Sequence, residues 1–283
     1  MRGHPRALEM PMSLLGPHID PPLALIPLIL RDRGLAVFQT TLRDPRRLSK
    51  ESVPDLEDQE AYAASAEGLW GIVHASMLTS LGSPDPRVRN GSASALTADA
   101  NLAARLGLAG VCFHVGYAKG HDSRQAALDA VARKLSEVVA KLQPRARVLL
   151  ENGCEGTELG DSVEEIGLVV RAVAAPPETV GVVLDTCHLH VAEFDMADPA
   201  APDRLADAVD RAGLAGRLCA LHLNDAREAC GSRRDRHAVP GEGTIGDGLL
   251  RLRSHPLFEP LPAILEMSLE AAERGIRYLS GCR

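Results

Sequence analysis

The sequence is short of aromatic residues: one Trp, three Tyr and four Phe make up 3% of its 283 positions. A core must therefore be built from Leu, Val, Ile and Ala, which suits the aliphatic layers of an α/β barrel. Positive charge is also scarce. Thirty-one Lys and Arg against 38 Asp and Glu leave a formal net charge of -7, which argues against holding nucleic acid through bulk charge but leaves room for a local basic rim. The six cysteines (Cys112, Cys154, Cys187, Cys219, Cys230, Cys282) lie far apart with no C-x-x-C pair. Reduced, partly buried thiols and a cytoplasmic protein are expected. The N-terminal MRGHPRALEMPMS is broken by Glu9 and two prolines, and no later run is long enough to span a bilayer, so neither secretion nor membrane insertion is expected. No Gly-rich phosphate loop follows the first apolar run, as an open dinucleotide-binding sheet would usually offer.

What is present is an alternation. Eight short apolar runs recur along the chain: Leu14 to Ile19, Leu35 to Gln39, Gly71 to Ala75, Gly110 to Val115, Ala146 to Glu151, Val180 to Asp185, Leu218 to Leu223 and Pro262 to Glu266. Helical periodicity lies between them, at Ser92 to Leu106, Arg124 to Lys141, Ser162 to Ala174 and Asp203 to Ala212. Repeated βα units of this kind predict a single (β/α)₈ TIM barrel, as one domain over residues 1–283. The runs end on His18, His74, His114, Glu151, Asp185, His222 and Glu266. Barrel enzymes place their chemistry at such strand ends. Two longer stretches, Ser76 to Gly91 and Asn224 to Gly248, read as loops for substrate recognition.

Imidazole and carboxylate together suit zinc and similar divalent ions. Asp185-Thr-Cys-His188 sets one of each where a strand leaves the barrel, and Asp235-Arg-His237 sets another pair two residues apart, on one side of an extended backbone. A lone His at a strand end is more often a hydrogen-bonded structural residue, and Pro240-Gly-Glu-Gly243 alone reads as a plain turn. Convergence of nine such candidates is harder to dismiss.

Several blocks resemble the endonuclease IV family of apurinic/apyrimidinic endonucleases, which belongs to the xylose-isomerase-like barrels. They are IVHASMLTSLGSPDP, VCFHVG, LLENG, GVVLDTCHLH, LHLNDA, GSRRDRHAVPGEGTIG and LPAILEMS, in family order between about Gly16 and Glu266. The resemblance implies that His74, His114 and Glu151 bind one zinc, and that Glu151, Asp185, His222 and Glu266 bind a second. His188, Asp235 and His237 would bind a third. Manganese or iron are compatible with the same donors. Three divalent ions would outweigh four carboxylates and leave the site net positive, fit for a phosphate. The implied reaction is hydrolysis of the DNA phosphodiester 5′ to an abasic site by metal-activated hydroxide, with Glu151 and Glu266 as the catalytic carboxylates, in a monomer. The implied DNA contacts are Arg43, as a probe of the base stack, with Met77, Arg233 and Arg236; Arg46, Arg47, Arg87, Arg89 and Arg234 form a wider set.

The pattern departs from the family around the ligands. Met77 stands for a usual Tyr, Gly153-Cys154-Glu155-Gly156 is shorter and more acidic than the family segment, Val115 and Tyr117 replace Pro and Ser, and Glu193 replaces Gly. Added carboxylates near the mouth disfavour a polyanion. A diverged barrel enzyme acting on a small sugar phosphate or nucleotide, as phosphohydrolase or isomerase, is the alternative, and a non-catalytic DNA-binding scaffold is a third possibility.

Overall fold

The computed structural model describes residues 14–46 and 53–281. Eight short strands form one sheet: β1 (Leu15–Pro17), β2 (Val37–Thr40), β3 (Trp70–His74), β4 (Val111–His114), β5 (Val148–Glu151), β6 (Val180–Asp185), β7 (Leu218–His222) and, after a small antiparallel ribbon of β8 (Asp225–Ala226) and β9 (His237–Ala238), β10 (Ala263–Leu265). The order is β1-β10-β7-β6-β5-β4-β3-β2, and every pairing is parallel. A parallel bridge between His18 and Gln39, with the Ile19 N–H donating to Gln39 O at 2.8 Å, draws β1 to β2. The sheet thereby closes into the TIM barrel. Each expected strand is found, most of them one to three residues shorter than its apolar run. Most of the flanking residues stay buried as the backbone leaves the ladder, and Leu223 N–H still donates to Ile264 O at 2.8 Å.

Helices α1 (Ile26–Asp32), α2 (Leu56–Ser65), α3 (Pro86–Arg105), α4 (Arg124–Val139), α5 (Val163–Val173), α6 (Thr186–Val191), α7 (Ala201–Arg211), α8 (Gly248–Arg253) and α9 (Leu269–Leu279) alternate with the strands. Their starts follow from local chemistry. Ser123 and Ser162 accept hydrogen bonds from the backbone of Ala126 and Glu165 and so begin α4 and α5. The α3 helix begins six residues before the expected Ser92, inside the stretch read as a loop, because Asp85 caps Arg87 N–H and Pro86 is already set for the first helical position.

Side-chain alternation along the strands builds the barrel interior in layers. Val37, Ile72, Cys112, Leu149, Val183, Ala220 and Ile264 point inward and pack together as an apolar floor. Two residues further along each strand the inward position is Gln39, His74, His114, Glu151, Asp185, His222 or Glu266. The alternate residues, among them Phe38, Val73, Phe113, Leu150, Leu184 and Leu221, face outward into the core shared with the helices. Cys112, Cys154, Cys187 and Cys219 are buried free thiols and Cys230 is an exposed one; Cys282 lies outside the described residues. Among the described residues no helix is long and apolar enough to cross a membrane.

The seam between β1 and β2 depends on Gly16, where a Cβ would fall 1.8 Å from the carbonyl oxygen of Val37. Gly16→Ala should lower unfolding free energy by about 1–3 kcal/mol in urea denaturation, as overpacking in a tight interior does. An unchanged midpoint would show that the seam yields freely.

Candidate metal centre

Glu151 ends β5 with no solvent exposure and sits at the middle of the polar layer. Its Oε1 lies 2.6 Å from Nδ1 of His222, at the end of β7; its Oε2 lies 3.1 Å from Nε2 of His74 and 3.5 Å from Nε2 of His114, at the ends of β3 and β4. Donor atoms of Glu151, Asp185, His222 and Glu266 all fall within 4.8 Å of one another, as do those of Asp185, His188 and His237. Asp235 joins the second group, with Oδ2 3.4 Å from His188 Nε2 and Oδ1 3.1 Å from His237 Nε2. The fold thus brings all nine expected ligand residues to one end of the barrel.

The second nitrogen of each imidazole is occupied, which aims the first. His74 Nδ1–H donates to Ala75 O at 2.8 Å, His188 Nδ1–H to Asn152 O at 2.9 Å, and His222 Nε2–H to Gln39 Oε1 at 2.8 Å. His114 Nδ1 lies 2.9 Å from Glu158 Oε1. Sequence reasoning passed over this outer set. Gln39 also donates to Glu266 Oε1 at 2.6 Å, and Asn224 donates to Asp185 Oδ2 at 2.6 Å and Glu266 Oε2 at 3.1 Å. Gln39 shares the inward register of the ligands and Asn224 sits two residues past His222, so strand parity was a usable signal for both; Asn152, directly after Glu151, has the opposite parity, and neither it nor Glu158 had such a signal. The buried Asp225 accepts from the backbone of Gly241, Gly243 and Ile245 and thereby shapes the GEGTIG turn. At Gly243 a Cβ would meet Ala226 O and Asp225 Oδ1 at 2.4 Å, so this glycine is required by the fold around the ligands.

The donor set fits divalent cations. The Nε2 atoms of His188 and His237 are buried and make no hydrogen bond, despite the nearby carboxylates, and both aim at the ligand cluster. Burial pushes the Glu151 carboxyl up, but the charges of His222 and His114 and the hydrogen bonds from His222 and His74 hold it well below the usual carboxylate range. Burial disfavours the His237 cation, yet Asp185, Asp235 and Glu266 raise it to about 9; His188 is raised well above its ordinary value by Asp185, Asp235 and Glu151. The cluster demands positive charge, which protons or metal ions can supply.

A cleft of about 410 Å³ opens over these residues, walled by His18, Asp20, Met77 and Met267. Met77 is 72% exposed at its rim, beside the half-exposed Leu78. Arg43 is a correction: it does not face the cleft but is buried, its guanidinium gripping both carboxylate oxygens of Asp99 on α3. A buried Asp99 without a counter-charge would be strongly destabilising, and the loop after β2 turns Arg43 inward to supply it. Arg233 is half-buried between Asp161 at 2.5 Å and Glu193 at 3.4 Å. Arg46, Arg87, Arg234 and Arg236 are exposed, Arg89 donates to Ser83 O at 2.6 Å, and Arg47 lies outside the described residues.

The family model for the xylose isomerase-like TIM barrel matches residues 29–280. A protein named "Probable endonuclease 4" from Chlorobium limicola is 35% identical over 196 residues, 69% of this chain and 67% of that protein. Its namesake from Symbiobacterium thermophilum is 33% identical over 251 residues, 86% and 88% of the two chains. The crystal structure of endonuclease IV from Thermus thermophilus superposes with a TM-score of 0.80 at 29% identity, covering 95% of this chain and 98% of that one.

Two outcomes are expected of the centre. Because the raised imidazole values leave protons on the metal-free cluster at neutral pH, ion binding must release them; affinity rises with pH through about 9, where His237 is half neutral, and falls on acidification. Calorimetry in two buffers of different ionisation enthalpy reads the release, and equal heats at pH 7 would contradict it. Gln39→Leu, which frees both His222 and Glu266, should weaken metal retention against a chelator by about 10–100-fold; an unchanged competition curve would remove Gln39 from any orienting role.

Proposed function

Since the chain belongs to the endonuclease IV family of the xylose isomerase-like TIM barrels, we propose that it is a metal-dependent endonuclease that hydrolyses the DNA phosphodiester 5′ to an abasic site in base excision repair. The observation that carries this reading is the convergence of all nine ligand residues beneath an open cleft, with two orphaned imidazole nitrogens aimed inward. By family resemblance the ions are zinc, held by His74, His114 and Glu151, by Glu151, Asp185, His222 and Glu266, and by His188, Asp235 and His237. When bound, they supply Lewis-acid stabilisation to a phosphate and to the water that attacks it.

The chain's own residues do the rest. Glu151 spans two of the three ligand groups and keeps them in register. Burial alone would raise Glu266, but the surrounding imidazoles, His222 first, hold its carboxyl at about 2, so it stays ionised at any working pH and positions charge without carrying a proton. Gln39 and Asn224 fix both of its oxygens. Met77 and Leu78 offer an apolar edge against which a base can rest beside the gap in the duplex. Exposed Arg46, Arg87, Arg234 and Arg236 supply the phosphate contacts that the negative net charge cannot.

A second reading is favoured by the fate of two arginines. Arg43 is spent on Asp99, and Arg233 is shared between Asp161 and Glu193. A cleft of this size with fewer cations at its rim also suits a small phosphorylated sugar or nucleotide.

Cleavage of a labelled duplex bearing one stable abasic analogue separates the two. Metal-replete protein should incise 5′ to the lesion and leave intact duplex alone, and Glu151→Ala should fall to background. Arg236→Ala should weaken binding alike for all sequences and lower the slope of log K against log salt by about 1. No incision by fully loaded protein would sink the repair reading in favour of the small substrate.

A further inference from the structure

A second group of donor atoms lies outside the barrel mouth, where the segment bearing Asp235 and His237 packs on α6. His190 stands two residues beyond the ligand His188 on that helix, and it is 2% exposed. The Met196 N–H donates to its Nδ1 at 3.2 Å, which places the lone pair on Nδ1 and the proton on Nε2. That Nε2–H meets Thr244 Oγ1 at 3.2 Å, while the threonine hydroxyl itself donates to Glu228 O at 2.7 Å. The ring is thus held in one tautomer by an outer partner, as metal-binding imidazoles are. The Nδ1 that accepts this long Met196 bond also lies 3.6 Å from Asp195 Oδ1, and donor atoms of His190, Asp195 and Cys230 all lie within 4.8 Å of one another.

We propose that His190, Asp195 and Cys230 form a separate site for one borderline-soft divalent cation, zinc before others, distinct from the centre at the barrel mouth. Bonds of about 2.0–2.3 Å from nitrogen, oxygen and sulfur set neighbouring donors of a tetrahedral ion about 3.3–3.8 Å apart. The 3.6 Å separation of His190 and Asp195 matches that edge. Cys230 and Asp195 are exposed, which leaves a fourth position for water and a path of entry. The thiolate gives this site a preference that the imidazole and carboxylate centre lacks, for zinc over magnesium or manganese. Electrostatics agree: burial, and then the carboxylates of Asp195 and Glu193, push the Cys230 thiol up, and a divalent cation reverses that opposition. An ion there takes the Nδ1 lone pair from the N–H of the buried Met196, a long bond whose loss its own coordination must outweigh.

The consequence lies in the loop. Gly231 N–H already donates to His190 O at 3.2 Å and Arg233 N–H to Val191 O at 2.9 Å. An ion between Cys230 and His190 rivets the same junction through side chains, five residues before Asp235.

The test uses the full chain loaded with cobalt(II), whose thiolate complexes absorb in the near ultraviolet while imidazole and carboxylate complexes do not. Wild type should show the thiolate band; Cys230→Ser should lose it, and Asp195→Asn should need more cobalt to reach it. Cys187→Ser and Cys112→Ser are the controls, because Cys187 lies within 4.8 Å of Asp235 and His237 and Cys112 within 4.8 Å of His74 and Glu151; the band should survive in both. After zinc loading and gel filtration, Cys230→Ser should hold one zinc per chain fewer than wild type. Absence of the band in wild type, its survival in Cys230→Ser, or equal zinc content would overturn the proposal. None of these readouts depends on DNA incision, so the site stands or falls apart from the proposed activity.

Discussion

A carboxylate with no exposure, ringed by imidazoles, is the constraint on which the rest of this molecule is arranged. Taking ions out of water costs several kcal/mol each unless partners replace the lost hydration. Glu151 finds such partners in His222, His74 and His114, and these in turn need Gln39, Ala75 and Glu158 to fix their other nitrogens. The demand spreads outward until it meets backbone carbonyls. Asn152 shows how far: its side chain pairs with the backbone of Asp185 in both directions, while its own carbonyl orients His188. The aliphatic floor beneath keeps water from the underside, which strengthens each of these contacts.

The same constraint explains what the sequence made legible. Strand alternation sorts floor from ligands at a spacing of two residues, so apolar runs ending in His, Asp or Glu announced both the barrel and its polar end. Legibility was lost wherever a partner is distant in sequence. Nothing local marks Arg43 as the counter-ion of Asp99, 56 residues away, and nothing near Glu158 says that it will receive His114, 44 residues back. The early start of α3 was lost for the opposite reason: its cap and proline were in plain view at Asp85 and Pro86, but the helical periodicity does not become apolar until later. The tight glycine at 243 reads as an ordinary turn until Asp225 is seen filling the space beside it.

Electrostatics divide the cleft unevenly. Its floor calls for cations, whereas the arginines that could have served it are partly committed elsewhere: Asp161 and Glu193 take Arg233, and Asp99 holds Arg43 buried away from the cleft. The exposed arginines that remain come from the loop after β2, the start of α3 and the segment before β9. If the proposed function holds, a polyanion met by so few cations would depend on ions bound below it for much of its affinity, which would couple binding to metal content more tightly than a broadly basic surface does.

The bond from Gln39 to Glu266 joins residues 227 apart, and β1 pairs with β10 beside it. During synthesis on the ribosome, the first seven barrel strands emerge before the residue that completes the polar layer. Until then Gln39, His222 and Asn224 lack a shared partner, and the half-built barrel carries an unmatched polar interior next to an open sheet edge. Closure of the barrel therefore waits on β10, and a sheet edge stays unpaired until that strand arrives.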